Sequence, residues 1–438
     1  METILLISLC ITTFLALMFI KSRSKRTTTK LNPPPSPWRL PVIGNLHQLS
    51  LHPHRSLHSL SLRYGPLMLL HFGRVPTLVV LSADMAHDVM KTNDLKFADR
   101  PKRKAVSMFL NGGRDVAFSP FSPGICVMHL LSKKMVRSFE KVREEEINVM
   151  MEKVEKAASS SSPLNLRLHW EENIVVTARR LVIHIMLIKE IVRKTMELSG
   201  SFPLGEYIPI LAWIDKICGV DDKVEEVSNK IDSFLEKAVQ EHVEDHADKE
   251  RSDFVDILVS IQRDKTMGFE FDVFLGGTAT TFTLLEWTMT ELMRHPECMK
   301  KLKDDIYSAS TTTEKLYVSE EEVEKMKYLK AVIKEVLRLH PPVPIILRGL
   351  CEDVKLKGYD IAQGTLFEGQ DFMYIPFGSG RRRCPGIRFG LTMAEVTLAN
   401  LVKQFDWRTK PDLAEATGVD VCRKFPLVVF PSYALFSM

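Results

Sequence analysis

The stretch FGSGRRRCPG, residues 377–386, decides how the rest of the chain is read. It places one cysteine, Cys384, in a loop with three glycines that runs directly into an apolar-periodic segment. Gly378, Gly380 and Gly386 permit close backbone approach, and the helix that follows turns its positive dipole end toward the loop. Amide donors and a positive environment keep a thiol ionised. A thiolate in turn is an axial ligand for haem iron, where it pushes electron density toward O–O cleavage. Arg382 is suited to pair with a haem propionate, and Phe377 to pack near the ring. Two plainer readings compete, a buried structural cysteine and a phosphate-cradling glycine loop. The second fails, because the loop contains neither GxGxxG nor GxxxxGK followed by Ser or Thr.

Working outward, Ile387 to about Gln404 carries Leu391, Ala394, Leu398, Leu401 and Val402 on one face, which predicts a helix. Upstream, Ser319 and Glu322 form a capping box. Leu329, Val332, Ile333, Val336 and Leu337 then recur at i, i+3, i+4, i+7 and i+8, and Pro341 and Pro342 end that helix. PLMLLHFGRVPTLVVLS (66–82) reads as two short strands around Gly73–Pro76, hence a hairpin. Residues 130–157 and 221–247 are charged amphipathic helices, Ser159–Ser162 with Pro163 is a loop, and no internal repeat is present. The expected class is mainly α, with small β-sheets near the start and end of the body.

Bulk properties fit such a body. The chain has 438 residues, 45% hydrophobic and 26% charged, with a formal charge of +4 spread along its length. That balance gives no footing for nucleic acid. Seven cysteines, at 10, 126, 218, 298, 351, 384 and 422, form an odd, scattered set without a C-x-x-C pair, which fits a reducing compartment. Residues 4–20 are uncharged and apolar, about 26 Å long as a helix. Lys21, Arg23, Lys25, Arg26 and Lys30 follow, so the segment reads as a membrane anchor with the body on the cytoplasmic side. A cleaved signal peptide fits less well, lacking a basic leader and a clear cleavage site. Residues 1–21 are thus the anchor, 22–45 a basic and Pro-rich linker, and 46–438 the body. Five prolines stiffen residues 32–45, and Trp38, Leu40, Val42 and Ile43 offer apolar surface to pack.

Residues 377–386 match F-x-x-G-x-R-x-C-x-G, and here the chain resembles the cytochrome P450 family. Phe377, Gly380, Arg382, Cys384 and Gly386 carry the match. Glu335 and Arg338, followed by HPPVP, resemble the family's E-x-x-R helix. FADRP (97–101), LPVIGNLHQL (40–49), LEWTMTELMRHP (285–296) and RKFPLVV (423–429) resemble its plant microsomal branch. The resemblance implies the P450-type fold, haem b held by Cys384, and Arg382 and Arg348 on the propionates. It also implies NADPH used through a cytochrome reductase, an endoplasmic reticulum membrane setting, and one oxygen atom inserted into a hydrophobic plant secondary metabolite. Alone, Glu335 and Arg338 are an ordinary i, i+3 surface pair; the resemblance implies a buried brace behind the haem. GGTATT (276–281) resembles the family's oxygen-activation motif, in which an alcohol fed by an acid delivers protons. Thr280 matches the alcohol, but Ala279 stands where the acid belongs. Val343, Ile345, Ile346 and Phe274 are expected to line an apolar substrate pocket. His242 and His246, four apart, lie among acidic residues and read as a solvated helical face rather than a metal pair. His52, His54 and His58 read as a polar helix start.

Ala279 is one of four departures from the family pattern. After DVAFSP (115–120) the Trp- and Arg-bearing helix that contacts a propionate is missing. GFEFDVFLGG (268–277) leaves the long central helix several turns short. Between Gly364 and Asp371, QGTLFEGQDF bridges a strand and a long coil whose Pro-x-x-Phe/Arg motif locks the E-x-x-R pair. Sequence resembling the family resumes cleanly on each side, so these three read as excised blocks and the fold as incomplete. Three functions follow: a monooxygenase, a haem enzyme that rearranges an already oxidised substrate without activating dioxygen, and a haem-poor remnant that acts only as an interaction partner.

Overall fold

The expected hairpin forms. Strands β1 (Leu67–Phe72) and β2 (Val75–Val80) pair antiparallel, Leu67 opposite Val80, and both bury most of their residues. The computed structural model describes residues 31–109, 117–118, 131–167, 185–201, 203–244, 270–310, 317–369 and 374–434. The anchor segment 4–20 lies outside them, and among the described residues no helix is long and apolar enough to cross a membrane.

Helices make up most of the body. The longer ones, with one short capped helix, are α1 (Pro53–Tyr64), α2 (Glu140–Ser159), α3 (Ile185–Gly200), α4 (Val220–Glu244), α5 (Glu270–Arg294), α6 (Pro296–Ala309), α7 (Glu320–Lys325), α8 (Lys327–Leu339) and α9 (Ile387–Gln404). The capping box at Ser319 and Glu322 starts α7 as expected. On α8 the predicted apolar face is buried through Leu329, Ile333, Val336 and Leu337. It packs with α5, α6 and α9 into one large core that includes Trp287, Leu302, Ala394, Leu398 and Leu401. Burying such side chains contributes roughly 1.5–3 kcal/mol each, so the four-helix contact is what holds the Cys384 loop in place.

The strands form three small sheets. Beyond the hairpin come β3 (Leu164–Asn165), β4 (Ile346–Gly349), β5 (Val354–Leu356), β6 (Tyr359–Ile361), β7 (Leu366–Gly369), β8 (Phe405–Arg408) and β9 (Val428–Tyr433). The largest sheet runs β1-β2-β7-β4, with β7 parallel to β2 and antiparallel to β4. This corrects the reading of residues 364–371, because a strand, β7, is present there. Among the described residues the strands fall at 67–80 and 346–433, toward the start and end as expected, with the two-residue β3 as the exception.

The Pro-rich linker is pinned to this sheet. Asn45, fully buried, donates to the carbonyls of Pro37 and Trp38, and its Oδ1 accepts from the His71 amide at 2.9 Å. Gly44 is obligatory there, with φ +62° and a Cβ that would fall 2.1 Å from the His71 carbonyl oxygen. Val42 and Ile43 pack beneath, as expected, but Trp38 is 68% exposed, its ring meeting His47 edge-on. The histidines of α1 behave as a polar start, with His54 and Arg55 facing Glu415. His242 falls near the end of α4, and His246 lies outside the described residues.

Candidate active site

Cys384 sits between a single turn at Gly380–Arg382 and the first turn of α9, so the loop delivers it to the helix N-terminus. Its amide donates to the Phe377 carbonyl at 2.9 Å, closing the loop on itself. Two glycines are required by geometry. Gly378 and Gly380 have φ of +66° and +67°, and a Cβ on Gly380 would lie 1.9 Å from the Met90 carbonyl oxygen. Gly386 stands close enough that its Cβ would touch the Cys384 sulfur at 3.8 Å. The Cys384 side chain is exposed on one side and walled by protein on the other. That partial burial pushes the thiol up, while the Gly386 amide and Arg383 pull it down.

Beside this loop the fold gathers arginines. Arg348, on β4 opposite Phe367, is 3% exposed and gives its Nη2 to the Ser379 carbonyl at 3.2 Å. Its Nε is buried without a hydrogen-bond partner. Burial, then the nearby charges of Arg100 and Arg382, lower the guanidinium to about 9, and Asp94 opposes them. Arg382 donates to the Ala98 carbonyl at 2.8 Å, and Arg100 to those of Ala117 and Leu347. Asp94 itself pairs with Arg381 at 3.3 Å. Three guanidinium groups thus converge beside the loop, with Asp94 near Arg348. A buried donor without an acceptor is costly, and this cluster calls for added anionic oxygen.

Haem brings two carboxylates and an iron that takes a thiolate. The buried Arg348 donor, its arginine neighbours and the one-sided exposure of Cys384 fit that group. Phe377 is partly buried against the main core, as a residue flanking a ring would be. Sequence reasoning placed Arg348 and Arg382 here but passed over Arg100, whose only signal was its place in FADRP.

On α5, Thr280 is half-buried and donates to the Gly276 carbonyl at 2.6 Å. Ala279 is fully buried in the core, so an acid there would lie among apolar side chains. A Cβ on Gly276 or Gly277 would meet nothing within 4 Å, so the helix borders open space at those two residues. Thr281 faces α9, its Oγ1 3.7 Å from where a Gly390 Cβ would stand. Ile345 and Ile346 are partly buried and pack into two different clusters, and Val343 is also half-buried. The side chain of Phe274 lies outside what is described.

Glu335 and Arg338 form a two-pronged pair at 2.7 and 2.8 Å. The resemblance implies a buried brace; the structure places the side chains at 55% and 52% exposure. The carboxyl is held below its usual range by the Arg338 hydrogen bond.

Comparison with known proteins agrees with these features. The family model described as Cytochrome P450 matches residues 33–368 and 366–419. Cytochrome P450 71A14 of Arabidopsis thaliana is 53% identical over 500 positions, covering 98% of this chain and 99% of that protein. Cytochrome P450 71A15 of the same plant is 54% identical over 501 positions, covering 98% and 100%. Its indoleacetaldoxime dehydratase is 53% identical over 507 positions, covering 99% of each. An alignment of 500 positions against 438 residues leaves at least 62 positions (500 − 438) without a residue of this chain. The family match also divides at 366–368, within β7.

Proposed function

The chain belongs to the cytochrome P450 family of haem-thiolate oxidoreductases, and from that premise we propose that it inserts one atom of molecular oxygen into a hydrophobic small molecule. The observation that carries this reading is the buried Arg348 donor beside Cys384, because it asks for the anion that a haem carries. Cys384 would hold the iron, and Arg348 and Arg382 the propionates. When bound, the haem supplies a redox-active iron whose thiolate favours O–O cleavage.

The chain's own residues do the rest. The Phe377 carbonyl and the Gly386 amide fix the orientation of Cys384. Thr280 keeps its proton on the Gly276 carbonyl and leaves its oxygen lone pairs to accept another. Apolar side chains at Val343, Ile345 and Ile346 would exclude water and orient the substrate by shape. Electrons come from NADPH through a cytochrome reductase. Residues 4–20 would anchor the body at the endoplasmic reticulum membrane, within reach of that partner.

The bridged segments have a consequence. With the E-x-x-R pair half open and the positions after DVAFSP missing, haem retention is expected to be weak and reducing power to leak to peroxide. Full haem occupancy with NADPH consumption matched to product would sink that expectation.

One observation favours a second reading. Ala279 removes the acid that feeds protons to oxygen, and a relative of 53% identity is named a dehydratase. Dehydration of an oxidised nitrogen substrate needs no dioxygen. Incubating the purified chain anaerobically, without NADPH, with an aldoxime decides between the two: product there favours the dehydratase, and product only with NADPH and dioxygen favours the oxygenase.

A further inference from the structure

Two helices that reach the Cys384 region at one end frame a cavity at the other. Its walls come from the end of α5, the first half of α6 and the strand pair β8–β9, and it holds about 540 Å³. Small-molecule sites span roughly 300–1,000 Å³, so the space is large enough for a ligand. Leu292, in its wall, lies twelve residues beyond Thr280 on α5, roughly 18 Å along the axis. On the other side α9 starts just after Cys384 and ends at Gln404, so β8 begins at the helix end remote from the thiolate. The cavity is separate from the haem site.

Its lining joins an apolar wall to an unbalanced set of charges. Leu292 is buried, and Met293, Met299 and Trp407 are partly buried against the main core. Methionine sulfur packs favourably at the edge of an aromatic ring, and its flexible stem adapts to the ring's outline. The Trp407 indole N–H is buried without an acceptor among the described residues, so the protein itself does not fully satisfy this wall. Lys303 on α6 pairs with Asp406 on β8, and those two charges offset each other. Arg408 is the further cation of the lining, exposed and without a carboxylate partner among the described residues. A flat apolar body bearing one negative charge complements such a lining.

We propose that this cavity is a second binding site, for a small aromatic carboxylate, whose ring lies against Met293, Met299 and Trp407 and whose charge is met by Arg408. The planar guanidinium fork donates to both oxygens of a carboxylate, which a neutral ligand of the same shape cannot match. No bond is made or broken there. The site needs neither haem nor dioxygen, so it stands apart from the oxygenase reading.

The test is calorimetric titration of the full-length chain with naphthoate, beside its neutral analogue naphthalenemethanol. The acid is expected to bind at one site, and the alcohol about tenfold more weakly. Arg408→Gln should weaken the acid about tenfold and leave the alcohol unchanged. Arg408 is exposed on the edge strand β8, so this variant keeps the fold, and its melting temperature checks that. Met299→Trp, which fills the cavity, should abolish binding of both. Excess imidazole, which occupies haem iron, should leave the acid's affinity unchanged. No binding by the parent, or a parent affinity kept in both variants, overturns the proposal. Alcohol bound as tightly as acid overturns the carboxylate, and acid displaced by imidazole belongs to the haem site and overturns the second site. A chain that takes up no haem still gives this titration, so the two readings fail separately.

Discussion

Two groups of charges, both contacting the α5–α8 pair, are enclosed to very different degrees. Glu286 on α5 is fully buried and accepts from Arg167 at 2.6 and 3.2 Å and from the Leu427 amide at 3.0 Å. Arg167 continues to the Arg423 carbonyl, and Arg423 to Thr290 and Asp412. Trp287 lies between, stacked on His340 at 4.0 Å and beneath the Arg423 guanidinium. Burial pushes the Glu286 carboxyl up, and Arg167 holds it back. On α8, Glu335 and Arg338 pair with each other, half in solvent. Most of the first cluster comes from LEWTMTELMRHP and RKFPLVV, joined by Arg167 and Asp412 from elsewhere in the chain. The Glu286 carboxylate is sealed from solvent, and the pair on α8 is open to it.

That contrast can be broken in order of size. Glu286→Ala leaves Arg167 without its carboxylate, and losing one partner of a buried pair costs about 3–5 kcal/mol. Urea denaturation should show a large fall in the midpoint; an unchanged midpoint would mean the cluster is not sealed. Asp420, buried near Arg167, is raised from 3.8 to about 6 by burial. Between those values the folded state binds more protons than the unfolded one, so stability falls as pH rises from about 4 to 6, by about 3 kcal/mol at full ionisation. Melting temperature against pH should lose that slope in Asp420→Asn, and a slope that persists would place its source elsewhere.

Smaller effects belong to the loop and the open pair. Gly380→Ala puts a methyl against the Met90 carbonyl at a left-handed backbone position, costing about 1–3 kcal/mol. Its haem-to-protein ratio should drop well below that of the parent, whereas an equal ratio would show that the loop yields. Glu335→Ala should not move the urea midpoint measurably, as for other exposed pairs. A large fall would make the pair a brace after all.

Local patterns carried much of the fold and part of the site. The apolar faces of α8 and α9 were legible because helical spacing fixes which side chains meet the core. The capping box and the hairpin were readable for the same local reason. Cys384 and Arg382 came from one short loop, and Arg348 from the family resemblance. What escaped was contact between distant stretches. Arg167 and Glu286 are 119 positions apart, and neither carries a mark of its partner. Arg143 on α2 is likewise fully buried against Glu320 on α7, 177 positions away. Trp38 shows the reverse, an apolar residue in a packed linker that the fold leaves outside. For Glu335 and Arg338 the plain residue reading, a surface pair off the apolar face, describes the exposure better than the brace that the family pattern implied.

The central claim is that Cys384 binds haem iron as a thiolate. Its most direct test is the reduced carbon-monoxide difference spectrum of the full-length chain beside Cys384→Ser. The account predicts a thiolate-type band in the parent, reduced in amplitude by weak haem retention, and absent in the folded serine variant. A band that survives the substitution, or a folded parent that takes up no haem when it is supplied in excess, would contradict it.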